Sequence, residues 1–356
     1  MKNVRRTLPV LAILSLLFFI VSCKDKNESL PEEKSFPLIY SATYQLMYGE
    51  VLKVSFEENK EINYVALFLD GELLKEWKNM SGNTEDSIDI TAYGMGAKSF
   101  TLKAKDKEGR IYEEYQTIHV ISDVVPEALN AEVLAMYPHN AKDFTQGLEI
   151  VDGFLYEGTG DPDHIGVTKV MQKDLKTGNV LNEVSLEGNY FGEGITILND
   201  KLYQLTWTSQ KCFVYEFPSL FKTGNSFTYT GEGWGLTNDG SQLIMSDGSE
   251  RIYFRDPTTF AVKRIISVYD NKGKVKNLNE LEYVDGLIYA NVWMTYKIVV
   301  IDPASGKVLK NIDCTDFAKR AKGNGDVLNG IAYNEAEKAF YLTGKYWASL
   351  AKVVFK

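Results

Sequence analysis

The chain has 356 residues, 44% of them hydrophobic and 24% charged, with a formal net charge of −9 at neutral pH. That acidic balance argues against nucleic-acid partners, because the 39 Lys and Arg are outnumbered by 48 Asp and Glu and leave no cationic excess to neutralise a run of phosphates. Three cysteines and three histidines lie scattered without ligand spacing, so no metal ligand is assigned.

Lys2, Arg5 and Arg6 precede an apolar run over residues 8–21, which is the layout of a secretory signal. The run is too short to span a bilayer comfortably. It ends in Ile20-Val21-Ser22-Cys23, which resembles the bacterial lipoprotein processing box; the alternative is an ordinary signal peptide with an incidental cysteine. Cleavage after residue 22 makes Cys23 the lipidated N-terminus, removes three cations and no acid, and takes the net charge from −9 to −12. The chain is therefore expected to be exported and held by lipid on a bacterial membrane, on its periplasmic or surface side. Residues 23–35 are polar without apolar period and read as a flexible tether.

Residues 36–124 alternate apolar and polar positions in short runs (51–56, 64–69, 99–104 and 117–121), with turns such as Asp70-Gly71 between runs. Period two over about ninety residues predicts a small immunoglobulin-like β-sandwich. Trp77 is read as a packing residue within it. Val124-Val125-Pro126-Glu127 breaks the pattern and serves as the linker.

Beyond the linker the chain repeats itself. Five segments share a Gly-apolar strand start, a turn, and a second strand opening on an apolar pair: Gly147-Leu148, Gly194-Ile195, Gly235-Leu236, Glu280-Leu281 and Gly330-Ile331 begin them. Their spacing of roughly 40 to 50 residues is that of a four-stranded blade. Five units with almost no amphipathic helical pattern predict an all-β fold, a five-bladed β-propeller over residues 130–356. Residues 131–137 are expected to close the ring beside 353–355. Cys212 and Cys314 are read as buried free thiols.

The repeats, laid on one another, map a site. The residue before each Gly-apolar step is Gln146, Glu193, Trp234, Asn279 and Asn329, which places these five side chains in one ring around the axis. A second ring, four residues after the mark of the second strand, holds Gly160, Trp207, Gly248, Trp293 and Lys345. Antiparallel pairing puts both rings at one mouth. Three tryptophans then surround one acid and one ammonium, an apolar-walled pocket with a few convergent polar groups. Phe144 and Phe191 stand two residues before Gln146 and Glu193, at the rim or in packing. Trp347 is set on the face of Lys345, Asp161, Asp163 and His164 in a solvated loop, and Glu280 and Glu282 as reserve carboxylates beside the ring.

The motifs Asp143-Phe144-Thr145-Gln146-Gly147-Leu148, Phe191-Gly192-Glu193-Gly194-Ile195-Thr196, Gly233-Trp234-Gly235-Leu236-Thr237, Ala290-Asn291-Val292-Trp293, Leu328-Asn329-Gly330-Ile331-Ala332 and Thr343-Gly344-Lys345-Tyr346-Trp347 resemble the plant and bacterial type of glutaminyl-peptide cyclotransferase, the glutaminyl cyclase of papaya latex and its bacterial relatives. The resemblance runs from about Ala131 to the C-terminus and leaves the sandwich and anchor outside it. It implies a five-bladed propeller that turns the N-terminal glutamine of peptides or proteins into pyroglutamate with loss of ammonia, an acyl transfer needing no catalytic metal or cofactor. By motif match it implies Glu193 as the general acid/base, with Asn279 and Lys345 as its catalytic partners. Gln146, Phe144, Phe191, Trp207, Trp234, Trp293 and Asn329 then bind substrate. It also allows a structural calcium in the central channel, with no ligands assigned. The segment from Asp161 to Val167 departs from the family pattern and bears on substrate range.

These residue types suit the chemistry. The substrate's own α-amine attacks its γ-amide, so the enzyme mainly holds a folded conformer. A carboxylate in apolar surroundings takes the amine proton and passes it to the departing nitrogen. Neutral amides and the Lys345 ammonium stabilise the oxygen on which charge develops. Two other readings stay open on residues alone: a lipid-anchored binding protein without chemistry, and a calcium-dependent hydrolase built on Glu193, Asn279 and Asn329. Absence of ammonia release marks the first, and loss of activity on chelation marks the second.

Overall fold

The computed structural model describes residues 35–356 apart from 164, 165, 167, 187 and 189, so the secretory signal, Cys23, the tether up to residue 34 and His164 lie outside the described residues. In strand Val51–Phe56 every second residue is apolar, and Leu52, Val54 and Phe56 are the ones buried. This strand lies between Tyr40–Ala42 and Thr84–Asp89 in a three-stranded sheet. A second sheet runs in the order Gln45–Met47, Ile111–Ile121, Gly96–Asp106, Ile62–Leu69, Glu72–Lys78. The two sheets share one core that includes Leu52, Leu67, Phe100 and Ile118. Trp77 packs there as expected, edge-on to Phe56 at 4.9 Å, with its N–H donated to Asp86 at 3.1 Å.

Three four-stranded antiparallel sheets follow. The first comprises Thr145–Val151, Phe154–Thr159, Lys169–Asp174 and Val180–Ser185; the second Gly192–Leu198, Lys201–Thr206, Lys211–Glu216 and Phe221–Thr228; the third Leu236–Asn238, Leu243–Ser246, Arg251–Arg255 and Val262–Ser267. Apart from one two-stranded hairpin, the remaining strands form one eight-stranded sheet, in the order Leu278–Val284, Leu287–Val292, Lys297–Ile301, Val308–Asp313, Glu127–Pro138, Ser349–Phe355, Ala339–Gly344, Leu328–Asn334. Strand Glu127–Pro138 joins its halves. Glu127 to Asn130 pair in parallel with Lys310 to Asp313, and the chain from Ala131 to Pro138 pairs antiparallel with Ser349–Phe355.

The innermost strands, Thr145–Val151, Gly192–Leu198, Leu236–Asn238, Leu278–Val284 and Leu328–Asn334, touch in that cyclic order, and the last returns to the first. The recurrent glycine follows from this crowding. A Cβ on Gly147 would lie 2.4 Å from Ile195 N, one on Gly194 2.4 Å from Leu236 N, and one on Gly235 2.0 Å from Asn279 O. The fourth repeat has Glu280 there instead. Its buried carboxylate accepts N–H from Leu148 at 3.1 Å and Ile331 at 2.7 Å, tying three inner strands together. Glu282 and Glu149 do the same for Tyr333 and Ile197, each at 2.8 Å.

The first two sheets do not stand free of the rest. Tyr269, from the short hairpin Tyr269–Asp270 and Gly273–Lys274, is buried in their core. Ser122 N donates to Asp270 O at 3.2 Å, and Lys307 pairs with Asp123 at 2.7 Å. Cys212 and Cys314 are buried free thiols, as their isolation in sequence suggested.

Candidate active site

Gln146, Glu193, Asn279 and Asn329 are each the second residue of an inner strand, and Trp234 stands two residues before Leu236–Asn238. One hydrogen bond recurs at the end of the neighbouring strand. Gly160, Trp207, Trp293 and Lys345 each donate their backbone N–H to the carbonyl two residues before the ring residue: Phe144 at 2.9 Å, Phe191 at 3.0 Å, Asn277 at 2.8 Å and Val327 at 2.9 Å. The two sequence rings therefore meet at one mouth.

Phe144, Gln146, Phe191, Glu193, Trp207, Trp234, Asn279, Trp293 and Lys345 line a single cavity of about 240 Å³, together with Met294 and Asp326. That is smaller than the roughly 300–1,000 Å³ of drug-sized clefts, and it suits one amino-acid residue. Glycines make room for its walls. A Cβ at Gly160 would fall 2.4 Å from the Phe191 ring, and one at Gly248 2.6 Å from the Trp234 indole. Trp234 and Trp293 meet edge to face at 5.5 Å, and Trp207, 38% exposed, stands at the rim against Phe191 at 5.6 Å.

Asn329 differs from its expected place, because it does not line the cavity. Its Nδ2 donates to Thr145 O at 3.0 Å and to Gln146 Oε1 at 3.2 Å, so it orients Gln146 from behind. Gln146 then turns its Nε2 to Glu193 Oε1 at 3.2 Å. Asn279 is buried with its Oδ1 unpartnered, an open acceptor in the cavity wall.

Burial pushes the Glu193 carboxyl well above the usual carboxylate range, and the charge of Glu232 adds to this, while the Lys345 ammonium opposes it. Burial lowers the proton affinity of Lys345 in turn, against the pull of Glu193 and Asp326. The ammonium lies 4.5 Å over the Phe144 ring and makes no ion pair among the described residues. A buried acid of raised proton affinity and an ammonium without an ion pair among the described residues thus face one aromatic-walled cavity.

Other expectations need correction. Glu280 and Glu282 are not reserve site carboxylates; both are spent on backbone N–H groups of neighbouring inner strands. Asp161 is buried rather than solvated and accepts Gly166 N–H at 2.6 Å, whereas Asp163 is exposed. Trp347 leaves the face of Lys345 because the strand ends at Gly344 and Tyr346 turns to a positive φ; its ring is fully buried against Phe317. The scattered histidines hid one convergence. His139, Asp143 and Glu157 meet behind Phe144, and Lys173 sits among them, 2.6 Å from Asp143 and bonded to Glu157. A lysine thus already supplies the cation that those acids require. Asp326 and Met294 escaped the repeat alignment because both lie outside its strand positions.

The model of the glutamine cyclotransferase family matches residues 110–355. A glutaminyl-peptide cyclotransferase from Arabidopsis thaliana is 36% identical over 230 residues, 63% of this chain and 71% of that protein. The crystal structure of Myxococcus xanthus glutaminyl cyclase superimposes with a TM-score of 0.61 at 33% identity, covering 65% of this chain and 98% of that one. With a matched span that takes in every residue of the cavity, the chain belongs to the glutamine cyclotransferase family.

Proposed function

We propose that this cavity closes the N-terminal glutamine of peptides or proteins into pyroglutamate and releases ammonia, with Glu193 as the proton carrier. One observation carries the reading: a buried carboxyl of raised proton affinity and an ammonium without an ion pair among the described residues share an aromatic-walled cavity the size of one residue.

The indole and phenyl walls hold the glutamine folded, so that its α-nitrogen lone pair reaches the γ-carbonyl carbon. The new C–N bond forms as charge develops on the carbonyl oxygen, which the Lys345 ammonium meets. Asn279 Oδ1 accepts an N–H of the substrate and fixes its orientation. Glu193 takes the proton of the attacking nitrogen and returns it to the amide nitrogen, which leaves as ammonia when the old C–N bond breaks. Gln146, held by Asn329, steadies the carboxyl during both transfers.

The scaffold in this proposal is a five-bladed β-propeller, read from the closed cycle of five inner strands, with an immunoglobulin-like sandwich before it. No step is assigned to calcium. The ring offers the unpartnered amide oxygens of Asn279 and Asn329, and among the described residues three acidic or histidine side chains converge only around Lys173. The test is ammonia release from a glutamine-initiated dipeptide by the chain beginning after Cys23; no release overturns the reading.

No helix among the described residues is long and apolar enough to cross a membrane. The proposed attachment is instead the lipid on Cys23, argued from the apolar run that ends there. Cys23→Ala should release soluble protein or block processing, and a processed variant still firmly bound to membrane would contradict the anchor.

A further inference from the structure

Glu232 stands at a break in the aromatic wall. Around one side of the cavity Tyr346 packs on Phe144 at 5.1 Å, Phe144 on Phe191 at 5.9 Å, and Phe191 on Trp207 at 5.6 Å, all at steep angles. Trp234 and Trp293 pair on the other side. Among the described residues no ring contact joins Trp207 to Trp234. A carboxylate does so: Glu232 Oε2 accepts the Nε1–H of Trp207 at 2.7 Å and the Nε1–H of Trp234 at 2.9 Å.

The local chain is shaped for this bridge. Glu232 lies between outer strand Phe221–Thr228 and inner strand Leu236–Asn238. Gly233 N donates to Trp207 O at 3.1 Å, and a Cβ at 233 would lie 2.2 Å from the Tyr229 hydroxyl, which is itself bonded to Thr206 O. A glycine here lets the segment sit against the Tyr229 hydroxyl and the Thr206 carbonyl. An indole N–H can only donate, and a charged acceptor holds it about twice as strongly as a neutral one.

We infer that Glu232 is a positioning residue for the cyclisation: it sets the angle of two wall indoles and places a negative charge beside Glu193. The inference rests on the reading of Glu193 as proton carrier. Of the charged groups facing Glu193, Lys345 favours its ionised form and Glu232 disfavours it; Asp326 acts on Lys345, and the remaining neighbours, Gln146 and the Tyr229 hydroxyl, are neutral. Loss of the Glu232 charge leaves Lys345 less opposed, so Glu193 ionises at lower pH.

The experiment measures kcat and KM on a glutamine-initiated dipeptide across pH for the chain after Cys23 and for E232Q and E232A. E232Q, whose amide oxygen still accepts indole N–H, should move the acid limb of kcat/KM to lower pH. E232A should move it likewise and also raise KM on the order of tenfold, the loss expected when charge-assisted hydrogen bonds are removed. The acid limb decides. An active wild type with an unmoved limb in both variants overturns the role of Glu232, even where KM rises, and E232Q keeps that test open should E232A fold poorly. An inactive wild type instead removes the underlying reading together with this one.

Discussion

Glu193→Gln separates chemistry from folding at one atom. The amide keeps the size of the side chain and an oxygen that can face Gln146 Nε2, now 3.2 Å away, but it cannot carry a proton. General acid/base assistance is worth about 10²- to 10⁴-fold, roughly 3–5 kcal/mol of barrier, so kcat should fall by that factor. Stability should move the other way. The folded-state proton affinity of Glu193 is raised, so its stabilising protonated form is fully present below the unfolded value of 4.5 and is lost as pH rises through the folded value. Above pH 4.5 the wild type therefore bears the cost of burying an acid that ionises more readily in the unfolded chain, and the amide does not. Ammonia release read across pH, with thermal unfolding of the same samples, tests both halves. A variant that keeps near wild-type kcat would refute the proton assignment. One that melts well below wild type would refute the claim that Glu193 is held for chemistry at a cost to folding.

Trp207→Ala or Trp293→Ala removes one indole from the wall and should raise KM, with kcat falling as the folded conformer loosens; wild-type steady-state kinetics in both would place the indoles outside substrate contact. Gly248→Ala puts a Cβ 2.6 Å from the Trp234 indole at φ +78°, whereas Gly240→Ala meets nothing within 4 Å at φ +85°. Both should lose about 1–2 kcal/mol of stability to the left-handed backbone, but only Gly248→Ala should raise KM, and equal kinetics would contradict the packing of Trp234. Glu149 is pushed by burial from 4.5 up to about 8, so it takes stability away as pH rises between those values. Glu149→Gln should flatten that part of the stability profile in denaturant unfolding from mildly acid to mildly alkaline buffer; an unchanged slope would contradict it.

What could be read from the chain follows from how a closed cycle of repeated inner strands writes itself into sequence. The five inner strands start at one repeated position, and the residues there, from Gln146 to Asn279, came out of self-alignment because a shared backbone geometry puts equivalent residues at equivalent radii. Asn329 shows the limit of that logic: equivalent backbone places do not give equivalent side-chain directions, and its amide turns to Thr145 and Gln146. Glu232, Asp326 and Met294 lie in connecting segments, where the repeat has no register to align. Glu280 escapes the sequence pattern for a different reason. It occupies the glycine position of the repeat, and only the inner-strand packing reveals that its carboxylate replaces a close approach with two hydrogen bonds. The burial of Tyr269 between the first two sheets and the rest carries no local pattern either, since the contact joins residues far apart in sequence.

The most direct measurement of the central claim is the mass of the product formed from a glutamine-initiated dipeptide in heavy-oxygen water, with wild type and Glu193→Gln side by side. Attack by the substrate's own amine yields a peptide lighter by one ammonia and free of heavy oxygen, formed by the wild type and formed at least about a hundredfold more slowly by the variant. Heavy oxygen in the product would mean that water, not the α-amine, attacks the amide, and equal rates in the two proteins would mean that the proton does not pass through Glu193.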